Sequence, residues 1–193
     1  MKRNYFTLFM TVAFASMSFG QTNTAVEAKV EDHQFAYNIL TNMSYEMGIG
    51  NKTTLRFSGP LSGCLLYSKT SITINDYHHE DSEWGYAFRP AVDMQVRHYY
   101  NLNKRLQNGK KIAHNSGNYI AGVLGAAGPS ILKSDNMYVA DFTLTLGAMW
   151  GIQRTYGDRF MMNVGIGPGV SFYDSQSAFA PVGGITVGFR LGK

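Results

Sequence analysis

The chain has 193 residues, 17 Lys and Arg against 13 Asp and Glu for a formal net charge of +4, and one cysteine, Cys64. This length suits one domain, and a lone cysteine excludes an internal disulfide as a source of stability. The basic residues form no concentrated face of the kind a phosphate backbone requires, which excludes a nucleic-acid partner.

Lys2 and Arg3 precede YFTLFMTVAFASMSFG, an uncharged stretch too short and too weakly apolar for a membrane-crossing helix. Residues 1–20 read as a cleavable secretory signal, with small Ser18 and Gly20 placing the cut before Gln21. Its removal takes away Lys2 and Arg3 and no acid, leaving 15 cations against 13 acids, a net charge of +2. No cysteine follows that point as a lipid anchor would need. Residues 21–36 then form an N-terminal segment or a weak first strand, since AVEAKVEDHQFAY (Ala25 to Tyr37) alternates poorly.

From residue 37 to 193 the pattern is one barrel domain built of runs with period two. In Ile39 to Ile49, Met43, Tyr45 and Met47 oppose Asn42, Ser44 and Glu46. Next, Leu55, Phe57, Leu61 and Leu65 oppose Arg56, Ser58, Ser62 and Cys64. FRPAVDMQVRHYY (Phe88 to Tyr100) sets Phe88, Pro90, Val92, Met94 and Val96 against Arg89, Ala91, Asp93, Gln95 and Arg97, with Pro90 marking a bulge or the part of the strand beyond a membrane. Asn118 to Ala127 alternates less cleanly. In Tyr138 to Gln153 one parity is apolar throughout, bracketed by Tyr138 and Trp150 as at two membrane interfaces. Phe160 to Phe172 and Pro181 to Leu191 complete seven clear strands. A closed bacterial barrel needs an even number, so an eighth strand is expected, either from Ala25 to Tyr37 or from a misdivided long run.

The polar parity decides which side faces water. A solvated strand face is rich in Lys and Glu, yet all nine lysines fall in the signal, the N-terminal segment, the turns and loops, or the last position. The polar face carries Gly, Ser, Thr and Asn with a few charges: Glu46, Asp93 and Asp141 against Arg56, Arg89, Arg97 and Arg190. Small residues with paired charges describe the crowded interior of a narrow barrel whose apolar face meets lipid. The fold expected is an all-β, antiparallel, up-and-down transmembrane β-barrel of eight strands. Trp84, Tyr99, Tyr100, Tyr138 and Trp150 are its interface aromatics.

Connections alternate in length. Gly50 to Thr53 and Arg154 to Asp158 are tight, as on a periplasmic side, while Ser68 to Glu83, Gly128 to Asn136 and Tyr173 to Ala180 are longer, as outside the cell. Asn101 to Gly117 breaks the rule. Its NLNKRLQNGKKIAHNSG suggests a short helix over Leu102 to Gln107 ending near Gly109, a basic periplasmic cap whose Lys104, Arg105, Lys110 and Lys111 suit anionic headgroups or a periplasmic partner.

YYNLNKRLQNGKKIAHNSGNYIAG (Tyr99 to Gly122) and WGIQRTYGDRF (Trp150 to Phe160) resemble small outer-membrane β-barrel proteins of Bacteroidota that carry no C-terminal domain. The likeness is good over about residues 84 to 160 and looser elsewhere. It departs at FRLGK, where such barrels often finish on an aromatic residue. The resemblance implies an outer-membrane location, lipid and the barrel-assembly machinery as partners, and no catalytic residue.

Several constellations carry rival readings. DYHHEDSEW (Asp76 to Trp84) gathers imidazoles and carboxylates, but adjacent ligands on a loop match no structural zinc spacing, so no metal or cofactor is assigned. Gly165, Gly167 and Gly169 share one parity and make room for bulky neighbours; neither they nor GVLGAAG (Gly122 to Gly128) form a phosphate loop. His98 has no context specifying a nucleophile, so no enzyme is expected. The interior charges read as a salt-bridged plug in a structural protein, or one that meets a partner outside the cell through loops 68–83 and 128–136. A narrow passive channel for small or apolar solutes, a lipid-modifying enzyme and a soluble lipocalin-like barrel stay open as alternatives.

Overall fold

Period-two patterning needs an extended backbone, since only there do successive side chains point to opposite faces. The computed structural model describes residues 27–39, 42–74, 77–135 and 139–192, with 42 and 63–83 as backbone only. The signal segment 1–20 lies outside the described residues, as do Asp76 and Tyr138. The described chain is all-β with one short helix: β1 (His33–Asn38), β2 (Asn42–Gly48), β3 (Thr53–Ile74), β4 (Tyr77–Tyr99), α1 (Leu102–Gln107), β5 (Asn118–Ala127), β6 (Leu132–Lys133), β7 (Thr143–Tyr156), β8 (Phe160–Gly167), β9 (Gly169–Tyr173), β10 (Gln176–Phe179) and β11 (Val182–Leu191).

Antiparallel pairing runs β1 to β2, β3, β4, β5, β7, β8 and β11, then back to β1, so the sheet partly closes in a ring. The closing seam joins Phe35–Asn38 to Gly188–Leu191, extended by the Ile39 amide donating to the Val187 carbonyl at 2.8 Å. Above it, Val182–Thr186 has no strand partner on that side among the described residues. Pro168 divides one long run into β8 and β9 because it has no N–H to give the ladder; its carbonyl still accepts from Ala148 at 3.0 Å. Both halves pair with β7. β10 folds back on β9.

Burial follows parity. Gln34, Ser44, Glu46, Thr54, Arg56, Ser58, Gln95, Arg97, Gln153 and Asn163 are buried on the inside, whereas Phe35, Tyr37, Met43, Phe57, Val92, Val96, Ile120, Leu146, Ile166, Ile185 and Phe189 stand exposed outside. Glycines fit the largest inner side chains: Gly151 lies under Tyr119, and Gly165 under Met149.

The missing strand is β1. It lies within the weakly patterned region, but later than expected, so a boundary at 36/37 cuts through it. The expected Ser68 to Glu83 loop is a paired ladder instead, Ser68 opposite Glu83 through Ile74 opposite Tyr77; the β-branched run TSITI favours extended backbone over a loop. Within Gly128 to Asn136, β6 pairs with Ala87 and Phe88 of β4. The strand expected over Tyr138 to Gln153 occupies Thr143–Tyr156. Helix α1 has the expected bounds, and Gly109 takes the positive φ of 64° that follows a helix end.

One segment lies outside the expected strands. Residues 27–32 lie across the end of the ring that carries the tight turns, burying Ala28 and Val30 in a cluster with Leu102 and Tyr99, and with Ile112 packed against it. The strap is hydrogen-bonded at Val30 N to Asn51 O (2.9 Å), Glu31 N to Asn115 Oδ1 (2.8 Å) and Gly48 N to Asp32 O (3.0 Å).

Candidate functional site: the polar interior

Strand register stacks the inward side chains in layers. Glu46 faces Arg56 across β2 and β3, Thr54 faces Arg97 across β3 and β4, and Tyr119 faces Tyr99 and Gly151 across β5. Arg97 is the centre of the middle layer and is 0% exposed. Its Nε donates to Gln95 Oε1 at 2.8 Å and its Nη1 to Gln153 Oε1 at 2.9 Å, with Glu46 Oε2 at 3.7 Å from Nη1. The guanidinium carbon sits 4.4 Å from the centroid of the Tyr119 ring, a cation–π contact strengthened by exclusion of water. Glu46 Oε1 accepts from Thr54 Oγ1 at 2.6 Å and from Tyr99 Oη at 2.8 Å. Tyr119 donates to Asn163 Oδ1 at 2.7 Å. Buried charge is tolerated only where paired and hydrogen-bonded, and Arg97 and Glu46 meet both conditions.

Toward the loop end, Asp93 accepts from the Ser58 hydroxyl and, at 3.2 Å, from Gln95 Nε2. Above the Arg97 layer lies a cavity of about 320 Å³, lined by Arg56, Asp93, Arg97, Tyr119, Asn163 and Thr143 among others. Toward the turn end, Asn115, Ser116 and the 27–32 strap cover the interior.

The seven charges expected to cross the lumen do not form one plug. Glu46, Arg56 and Arg97 are buried together in the middle, with Asp93 half-buried beside them. Arg89 lies nearer the loop end, donating to the carbonyls of Gly128 (2.7 Å), Ala127 (3.0 Å) and Ala140 (3.2 Å) and to Thr143 Oγ1 (3.2 Å). Arg190 lies near the turn end, 3.3 Å from the Asp158 carbonyl. Asp141 corrects the expectation outright: it precedes β7 and is exposed, because the strand starts after it.

Tyr99 is a second correction, being 0% exposed inside the ring rather than at an interface. It shares parity with Arg97, which reading YY as one aromatic pair obscured. Tyr100, Trp84 and Trp150 are exposed, and Trp150 Nε1 donates to Tyr100 Oη at 2.8 Å. Sequence reasoning also passed over Tyr119, Gln153 and Asn163, for which parity was the available signal. An outer aromatic group at the 157–159 turn was missed too: Tyr156, Phe160 and Phe189, with centroids 6.2 and 5.9 Å apart in sequence.

The basic connection 101–117 is tied down locally. Arg105 donates to the Lys111 carbonyl at 2.8 Å, and Lys111 reaches the Gly157 carbonyl and Asp158. Among the described residues no group of three His, Cys, Asp or Glu could hold a metal, and the side chains of 77–83 in DYHHEDSEW lie outside them.

Comparison with protein-family models, with curated proteins and with solved structures found no match.

Proposed function

We propose that this chain is an outer-membrane β-barrel protein, an up-and-down barrel of eight strands that spans the bilayer after loss of a 1–20 signal, and serves a structural or surface-interaction role. The observation that carries the reading is the inverted arrangement of its faces. Large apolar side chains stand exposed on strand after strand, up to 77% at Ile185, while Arg97 and Glu46 are sealed inside. In water such a surface far exceeds the few hundred Å² a soluble monomer leaves open. In hydrocarbon it is the lower-energy arrangement, provided the backbone is hydrogen-bonded in a ring. A soluble lipocalin-like barrel would place the apolar parity inward, where this chain has Arg, Gln and Thr.

The chain direction then puts the tight turns, the strap and α1 on the periplasmic side. The β3–β4 hairpin and the 128–142 connection face out, where a partner would meet them. Lipid covers the wall, and the barrel-assembly machinery inserts it. The Arg97 layer closes the lumen, so the chain has no steady conductance. A narrow channel has one observation in its favour, the cavity above that layer.

Membrane fractionation with protease shaving of intact cells tests the main reading. It expects the protein in the outer membrane, cleaved within residues 68–83 or 128–136 and protected at 101–117. Recovery in the soluble periplasm ends it. Steady single-channel steps in a planar bilayer would replace the closed barrel with the channel.

A further inference from the structure

The cavity above the Arg97 layer has three charged lining residues, Arg56, Asp93 and Arg97. Glu46, which is off its wall, neutralises Arg97 from 3.7 Å, so Arg56 and Asp93 are the charges left facing the cavity. Both oxygens of Asp93 already accept hydrogen bonds, from Ser58 and Gln95. Arg97 is held by Gln95, Gln153 and the Tyr119 ring. Arg56 is different. It is 5% exposed, yet among the described residues no hydrogen bond and no ion pair within 4 Å engages its guanidinium. Its Cα partner Glu46 gives Oε1 to Thr54 and Tyr99 and turns Oε2 toward Arg97. Asp93 and Glu46 attract Arg56 only from a distance, and Arg97 repels it.

A guanidinium presents five N–H donors in a planar fork that matches a carboxylate bidentately, and a buried cation without a partner is strongly unfavourable. We propose that the cavity is a binding site for a small solute carrying one carboxylate, gripped by Arg56 and stopped from passing further by the Arg97 layer. One carboxylate satisfies the Arg56 fork; a dianionic phosphate would bring a second negative charge toward Asp93. Ser62, Thr143, Thr186 and the Asn163 amide line the remaining wall and suit hydroxyl or carbonyl groups on the solute. A volume near 320 Å³ equals the liquid share of roughly ten waters, room for a solute of about ten heavy atoms and ample for a small hydroxy acid. Access is from the loop end, where Ser62, Gly183 and Gly184 are exposed.

The site goes beyond the barrel reading and is tested apart from it. Saturation-transfer NMR on the folded full chain, titrated with lactate, should show saturable binding. Neutral lactamide should bind at least about tenfold more weakly, and Arg56→Gln should weaken lactate about ten- to hundredfold, the range for a charge-assisted hydrogen bond. Val123→Phe, which narrows the cavity without touching a charge, should weaken binding and decides the matter should Arg56→Gln not fold. Absence of saturable lactate binding, equal affinity for lactamide, or unchanged affinity in Val123→Phe overturns the site. Phosphate displacing lactate at lower concentration than lactate itself overturns the carboxylate assignment. A chain that binds lactate but stays dispersed without detergent keeps this site and loses the membrane reading.

Discussion

Tyr119 lies directly over Gly151: the two are Cα partners on β5 and β7, and a methyl group built on Gly151 would collide with the phenol ring. The ring cannot swing aside, because it is fully buried, hydrogen-bonded to Asn163 and stacked against Arg97. Gly151→Ala should therefore destabilise the fold by about 1–3 kcal/mol, the usual penalty of overpacking. Gly122, with nothing within 4 Å of its added methyl, is the matched control. Guanidinium unfolding read by tryptophan fluorescence compares them, and equal midpoints would refute the tight fit.

Glu46 neutralises Arg97 while accepting from Thr54 and Tyr99. Glu46→Leu strands a buried cation and two hydroxyls at once and should cost about 3–5 kcal/mol. Pairing it with Arg97→Met should recover much of that loss. A double-mutant cycle with no coupling would show the two charges to be independent.

The strap responds to acid through His114. Burial first, and then Arg190 and Lys111, hold its pKa below the ordinary 6.5, against the pull of Glu31 and Asp158. The unfolded chain thus binds its proton more readily. His114 contributes stability that is full above pH 6.5 and is lost as pH falls from there through the lowered folded value. Its backbone N–H donates to Glu31 Oε1 at 2.9 Å and its Nδ1 lies 3.3 Å from the same oxygen, so the group that takes the proton sits against the strap. Protection factors of the amides across residues 27–32, corrected for the intrinsic slowing of exchange in acid, should fall between pH 7 and 5, and His114→Gln should flatten that dependence.

Leu146 distinguishes lipid from water on the outer face. In a bilayer Leu146→Arg should cost about 2–4 kcal/mol and reduce assembly, whereas Ile131→Arg, on a connection, should have little effect. Heat-modifiable gel mobility after detergent refolding measures both. Leu146→Arg folding as readily as the parent chain would argue that this face touches water.

Parity made most of the wall legible. The split of VDMQVR into outward Val92, Met94 and Val96 and inward Asp93, Gln95 and Arg97 needs only a strand period, and the structure places them so. What parity could not supply was height along the strand. Arg89, Arg97 and Asp141 carry inward parity alike, yet Arg89 meets loop carbonyls and Asp141 falls beyond the strand start, because register depends on partners distant in sequence. The strap was illegible for another reason. EAKVE does alternate, and Ala28 and Val30 are its buried parity, but the segment is placed by backbone bonds to Asn51 and Gly48 and a side-chain bond from Asn115, contacts no local pattern encodes.

The seam where Phe35–Asn38 meets Gly188–Leu191 joins the first strand to the last. Those few rungs join segments separated by almost the entire chain, so the loop they close is the longest in the described fold. Ring closure therefore carries the largest entropic cost of any pairing in the fold and meets it across four paired positions.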